Sequence, residues 1–258
     1  MAGHPWYAIL QYFGRDFAGW QRQPADRTVQ GELERVLARV EGCHVTTHAA
    51  GRTDAGVHAL AQVVSFEMRK AWRDDELGRA LNALLPDDVW VSTVAPAPAG
   101  FHARKRATAR CYRYVVGCDA ASFSPFRRPY EWALGRPLHP GALAAAAALF
   151  RGEHDFRAFS ATGQEKSHYR CDLAVAEWRE RPNDEGFTFR VEADRFLHRM
   201  VRFLVGASVD VALGRRTPED IARLLETTDN QDASPPAPAE GLYLVGVRYP
   251  DFDKDLSA

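Results

Sequence analysis

The hydrophobic period of this chain switches between that of a strand and that of a helix in a set order, and the order restricts the fold more than any single motif does. Trp6 to Phe13 alternates large apolar residues, as a strand does. Val29, Leu33, Val36, Leu37 and Val40 then recur at helical spacing, with Thr28 placed to cap the first turn, Glu32 inside it and Gly42 to stop it. Val45 to Ala50 and Gln62 to Met68 read as strands, Asp74 to Leu85 as a helix ended by Pro86, and Val89 to Val94 as a further strand. The order is β-α-β-β-α-β, the ferredoxin-like split βαβ plan. The second half follows the plan with longer pieces. Thr108 to Gly117 is a strand and Pro140 to Arg151 a helix. Cys171 to Glu180 and Phe187 to Ala193 pair across Asn183 to Gly186, two helices span His198 to Leu213 and Pro218 to Leu225, and Leu242 to Val247 is the closing strand. The expected fold is α+β: two ferredoxin-like (RRM-like) subdomains, 1–105 and 106–258, with abutting, mainly antiparallel sheets, helices outside and a cleft between the halves. Ala95 to Gly100 is the expected boundary, Asp229 to Glu240 an irregular crossing segment, and Ser160 to Ser167 a loop able to touch a ligand.

Between two of the expected strands lies Gly51-Arg52-Thr53-Asp54-Ala55-Gly56-Val57-His58, a carboxylate and a guanidinium inside a glycine-bounded turn. Gly51 and Gly56 permit φ > 0 and close backbone approach, so Arg52, Thr53 and Asp54 are presented on a tight bend. By itself such a turn fits two readings: Asp54 caps its own backbone as an Asx-turn, or it is displayed for chemistry. The charge pattern adds to this. The formal net charge is only -1, from 33 Lys+Arg against 34 Asp+Glu, so the whole chain does not select a polyanionic partner. Yet no acidic residue falls between Asp88 and Asp119, where Arg104, Lys105, Arg106, Arg110 and Arg113 are interleaved with Tyr112 and Tyr114. Arg195, His198, Arg199 and Arg202 form a second basic group beside Phe196 and Phe203. Cations mixed with aromatic rings suit a nucleic-acid groove, and equally an ordinary solvated face.

The cysteines, Cys43, Cys111, Cys118 and Cys171, have neither C-x-x-C spacing nor the density of a disulfide scaffold, so reduced thiols are expected. Cys43, His44 and His48 lack a convincing fourth metal ligand, and no metal is expected. No basic segment followed by an apolar core opens the chain, and no apolar run reaches membrane-spanning length. A cytoplasmic protein without membrane contact is the expectation.

Seven segments, in order, carry a resemblance that runs nearly end to end. They are GWQRQP (Gly19 to Pro24), VQGELE (Val29 to Glu34), GRTDAGVHA (Gly51 to Ala59), FHAR (Phe101 to Arg104), ARCYRY (Ala109 to Tyr114), HRMVRFLVG (His198 to Gly206) and AEGLYLVGVRYP (Ala239 to Pro250). The chain resembles the bacterial TruA family of tRNA pseudouridine synthases. The resemblance implies isomerisation of uridine to pseudouridine at positions 38, 39 and 40 of the tRNA anticodon stem-loop, without cofactor or metal, by a homodimer with a central RNA-binding cleft. It assigns the catalytic carboxylate to Asp54, the active-site tyrosine to Tyr112 and the arginine paired with the carboxylate to Arg202. Arg52 corresponds to the residue that fills the space left by the extruded base, and the strand around Leu242 to Leu244 to an apolar contact with uracil, Leu244 among them. Two departures stand out: Cys111 where many relatives carry a basic residue, and Arg199 where some carry histidine.

The chemistry suits these residue types. Breaking C1′–N1 and forming C1′–C5 oxidises nothing and releases nothing, so side chains suffice. A carboxylate can attack the sugar, attack the base or remove a sugar proton, and all three routes stay open at this point. Arg104 and Arg110, with Lys105 and Arg106, would meet backbone phosphates. The competing classes are a catalytically silent RNA binder, which would not need the set Asp54, Tyr112 and Arg202, and a metal-dependent nuclease, which needs a carboxylate cluster that the sequence lacks.

Overall fold

The structure is a computed structural model, and it describes residues 3–161, 168–227 and 229–250. The expected loop Ser160 to Ser167 therefore falls largely outside the described residues, at 162–167. The fold is mixed α/β, with mainly antiparallel pairing and helices packed on the strands. The chain divides into two compact units. The described part of the first covers 3–108 and 243–250, and the second is Ala109–Leu242. The sequence expectation had given the last strand to the second half; from Tyr243 onward it clusters with the first.

In the first unit the sheet runs in the order β4 (Val89–Pro96), β1 (His4–Tyr12), β3 (His58–Met68). β1 is antiparallel to both neighbours. On the far side of β3 two short pairings follow one another. β2 (His48–Ala49) lies antiparallel to Ser65 and Val64, and β10 (Leu242–Arg248) runs parallel to His58 and Ala59. β2 is far shorter than the expected Val45 to Ala50, and the reason is chemical. Thr47 turns its N–H and its hydroxyl to the buried Glu34 carboxylate, both at 3.0 Å, and so leaves the ladder. That carboxylate is carried by α1 (Val29–Glu41), whose Val29, Leu33, Val36 and Leu37 are fully buried. The Thr28 hydroxyl caps α1 by accepting the Gly31 N–H at 3.2 Å, as the sequence indicated. α2 (Asp74–Asn82) buries Leu77 and Leu81 and stops short of Leu85. The Asn82 side chain instead brackets the Val91 backbone, donating to its carbonyl at 2.9 Å and accepting its N–H at 2.8 Å.

The expected boundary Ala95 to Gly100 lies inside this unit. β4 continues through Pro96, and the Ala97 N–H donates to the Pro5 carbonyl. Phe101 packs edge-on against Tyr7 and at a tilt against Tyr249, whose hydroxyl donates to the Ala103 carbonyl at 2.7 Å. Thr108 closes the segment by donating its N–H to the Arg248 carbonyl at 2.9 Å.

The second unit has strand order β5 (Ala109–Gly117), β9 (Gly186–Ala193), β8 (Arg170–Glu180), β7 (Gly152–Asp155), each antiparallel to the next. The two-residue β6 (Trp132–Ala133) runs parallel to the end of β5. α3 (Pro140–Leu149) packs on β8 and on α4 (Met200–Ala212), and α5 (Pro218–Glu226) packs on α3. α4 is buried on almost every side, which fits its nearly unbroken apolar sequence. The crossing segment 229–240 is drawn tightly onto α4. A Cβ at Gly206 would stand 2.2 Å from the Pro235 carbonyl oxygen, a contact only glycine permits. Gly206→Ala is therefore expected to destabilise the protein by about 1–3 kcal/mol through enforced backbone displacement, measured as a lower urea midpoint.

Candidate active site

The turn between Gly51 and His58 is held almost entirely through its backbone. The Trp20 N–H donates to the Thr53 carbonyl at 3.0 Å, the Gly56 N–H to the Phe17 carbonyl at 3.3 Å, and the Val57 N–H to the Asp54 carbonyl at 3.2 Å. Such pairing demands contact without side chains in the way. A Cβ at Gly19 would meet the Thr53 carbonyl oxygen at 2.8 Å, and one at Gly14 would lie 1.9 Å from the Val57 carbonyl oxygen. Gly56 takes the left-handed conformation at φ 80 as expected, whereas Gly51 does not. Gly51 is instead gripped by Gln62 from mid-β3: the side-chain amide donates to the Gly51 carbonyl at 2.7 Å and accepts its N–H at 3.4 Å. The same amide donates to the Tyr12 hydroxyl at 3.3 Å, which meets the Thr53 hydroxyl at 2.8 Å. Burial pushes the Tyr12 pKa up to about 12, while its bonds to Thr53 and Gln62 pull the other way. Tyr12 is a neutral structural hydroxyl.

Asp54 is half-buried on this frame and Arg52, two residues earlier, is exposed. His58 closes the turn. It is buried, stacks on Phe13 with ring centroids 4.8 Å apart, lies against Tyr243 at 4.8 Å, and accepts the Gly14 N–H at Nδ1, so its neutral form carries the proton on Nε2. Leu244, on β10, is fully buried opposite Ala59 in the parallel register. Arg52 and Arg104 meet at one pocket of about 450 Å³, lined also by Trp20, Gln21, Gln30, Thr47, His48, Ala49, His102 and Lys105. His48 and His102 stack there at 4.5 Å. Among the described residues no group of His, Cys, Asp and Glu could hold a metal ion, and no helix is long and apolar enough to cross a membrane.

In the second unit Tyr112 and Tyr114 share a face of β5, opposite Val191 and Phe189. Tyr112 is buried against Phe196, edge to face at 5.1 Å. Tyr114 donates its hydroxyl to the Pro238 carbonyl at 2.8 Å, and burial raises its pKa well above the ordinary value. The Arg110 Nη1 donates to the Asp194 carbonyl at 3.0 Å. The neighbouring Cys111 thiol donates to Glu192 at 3.1 Å. Arg202 sits in the first turn of α4, and its Nε donates to the Ala237 carbonyl at 2.6 Å, while the Ala237 N–H donates to the Arg202 carbonyl at 2.9 Å. This reciprocal pair fixes the base of the guanidinium on the crossing segment. Arg199, ahead of α4, takes φ 60, an uncommon conformation for a non-glycine residue.

These placements acquire meaning beside known proteins. A family profile described as tRNA pseudouridine synthase matches residues 8–104 and 146–250. The chain belongs to the tRNA pseudouridine synthase family. It is accordingly an isomerase. It is 40% identical over 244 residues to tRNA pseudouridine synthase A of Maridesulfovibrio salexigens, covering 93% of this chain and 89% of that protein. It is 42% identical over 249 residues to the Geobacillus kaustophilus enzyme of the same name, with 94% and 93% covered, and 44% identical over 245 residues to that of Solidesulfovibrio magneticus, with 93% and 89% covered. Sequence reading had named Asp54, Arg52, Arg104, Arg110, Tyr112, Arg202 and Leu244; it did not single out Tyr12, Gln62 or His58, which shape the turn. The one signal in the sequence was a glutamine inside an apolar strand. Gln62→Leu should leave the Gly51 backbone and the Tyr12 hydroxyl short of partners, lowering stability by about 2–3 kcal/mol and speeding amide exchange at Gly51 and Trp20.

Proposed function

We propose that this isomerase converts uridine to pseudouridine in tRNA, at positions 38, 39 and 40 of the anticodon stem-loop, with Asp54 as its catalytic carboxylate. The observation that carries the reading is the backbone-clamped turn bearing a half-buried Asp54, in a chain that aligns over more than nine-tenths of its length with curated tRNA pseudouridine synthases A. A catalytic group on such a frame is preorganised, since the turn cannot relax without breaking several backbone bonds. The reaction balances within the substrate: C1′–N1 breaks, the freed uracil turns, C1′–C5 forms, the proton on C5 leaves and N1 gains one.

Arg202 is read as the cation that pairs with the Asp54 carboxylate. At about 4 Å and an effective dielectric near 20, a pair of unit charges gains roughly 4 kcal/mol before desolvation is counted. What supports this role is the bond from its Nε to Ala237, which fixes the base of the guanidinium. Tyr112 provides the stacking ring for uracil and the hydroxyl for the C5 proton, and Leu244 the apolar contact. A uridine inside a stem must first be flipped out, at a cost of a few kcal/mol, part of which Arg52 offsets by entering the vacated stack. Arg104 and Arg110 meet phosphates. Each unit is read as a ferredoxin-like half, a reading supported in the first unit by the order β4-β1-β3-β2 with antiparallel neighbours. The working form is read as a cytoplasmic homodimer.

The product is an isomer of the substrate, so mass alone is silent, and the test is chemical mapping of pseudouridine in tRNA incubated with purified protein. Asp54→Asn should reduce the rate by on the order of 10⁴ or more while tRNA binding survives. Modification at the wild-type rate would remove Asp54 from the chemistry.

A further inference from the structure

Arg52 and Arg104 are accounted for by the reading above, but the two imidazoles between them are not. His48 projects from β2 and His102 from the segment after β4, and the fold builds their contact deliberately. Ser65 on β3 stands opposite His48 in register, and its hydroxyl accepts the Ala103 N–H at 3.0 Å, so one serine docks both histidine-bearing segments. The rings stack with centroids 4.5 Å apart and planes inclined by 22°. The Arg104 N–H donates to His102 Nδ1 at 3.2 Å, which makes Nε2 the proton-bearing nitrogen of the neutral ring.

The charged side chains that line the pocket are all basic. The turn contributes Arg52, and the segment after β4 contributes Arg104 and Lys105. Glu34 on α1 bonds two of the lining residues and is already engaged: one oxygen accepts from Gln30 and from Thr47 twice, and the other pairs with Arg22 at 3.3 Å. Burial, then the charges of His48, Lys105 and Arg104, lower the His102 pKa from its ordinary value, which favours the neutral His102 ring near pH 7. An anion arriving there reverses that balance.

We propose that this pocket holds one phosphodiester of the RNA substrate and that its binding loads a proton onto the stacked His48–His102 pair. The inference rests on the reading of the chain as an RNA-modifying isomerase, and adds a proton to its binding step. Bound phosphate raises the histidine pKa, so binding takes up a proton. Affinity is then greatest at low pH and falls as the pH rises through the bound-state pKa.

The test is binding, separate from turnover. Fluorescence anisotropy of a labelled anticodon stem-loop RNA between about pH 5.5 and 8 should show Kd rising roughly fivefold to tenfold for the wild type. His102→Asn should flatten most of that dependence while the Arg-dependent affinity near pH 8 persists. His48→Asn should give a shallower slope, with thermal melting confirming that both variants fold. Independently, the His102 ring signals in NMR should titrate at a higher pH in the RNA-saturated protein than in the free one. Equal slopes in wild type and His102→Asn, or an unmoved His102 titration, overturn the proposal. So does a His102 shift produced by millimolar inorganic phosphate but not by RNA. Loss of pseudouridine formation with the binding linkage intact would strike the isomerase reading alone.

Discussion

The first unit is organised around a peptide segment with no regular secondary structure that is nonetheless among its most constrained parts. Thr53, Asp54 and Val57 cannot form a ladder, so their polar groups must be met by other backbone, and that backbone must come within hydrogen-bonding distance. Gly14 and Gly19 make this possible by having no side chain to interpose. The demand then propagates outward. Trp20, which donates to Thr53, is also tied to the start of α1, where the Gln30 N–H donates to the Trp20 carbonyl. The helix, the turn and β3 thus fix one another, and a carboxylate carried on that turn has little freedom to wander.

Behind the turn lies a polar interior that is satisfied through side chains. Gln62, Tyr12 and Thr53 form a chain of hydrogen bonds, and Glu34 gathers Gln30 and Thr47. Buried amides and hydroxyls of this kind contribute about 1 kcal/mol each when paired and cost more when left single. They serve here to fix geometry where an apolar core would allow neighbouring packings. The Glu34 carboxylate is buried within this network, whereas Arg52, Arg104 and Lys105 of the same unit are exposed.

Much of this was legible in the sequence. The strand and helix order followed from periodicity because α1 and β1 bury one face each, and Thr28 and Gly42 delimit α1 as their chemistry suggests. The carboxylate turn was legible because glycines flank it. What escaped were features set by long-range partners. β2 shrank because Thr47 is claimed by Glu34, and α2 ended early because Asn82 is claimed by Val91. The passage at Ala95 to Gly100 looked like a linker because of its prolines, yet Phe101 and Tyr249 bind it into the unit. The stacking of His48 on His102 joins residues from separate segments, and no local pattern announces it.

The far edge of β3 is shared by β2 at Ser65 and Val64 and by β10 at His58 and Ala59. That sharing makes the first unit discontinuous: its final strand emerges from the ribosome only after the whole of Ala109–Leu242 has been synthesised. Vectorial synthesis therefore leaves the edge beside the carboxylate turn open until that strand has been made, and the intervening unit has time to fold before the earlier one can be sealed.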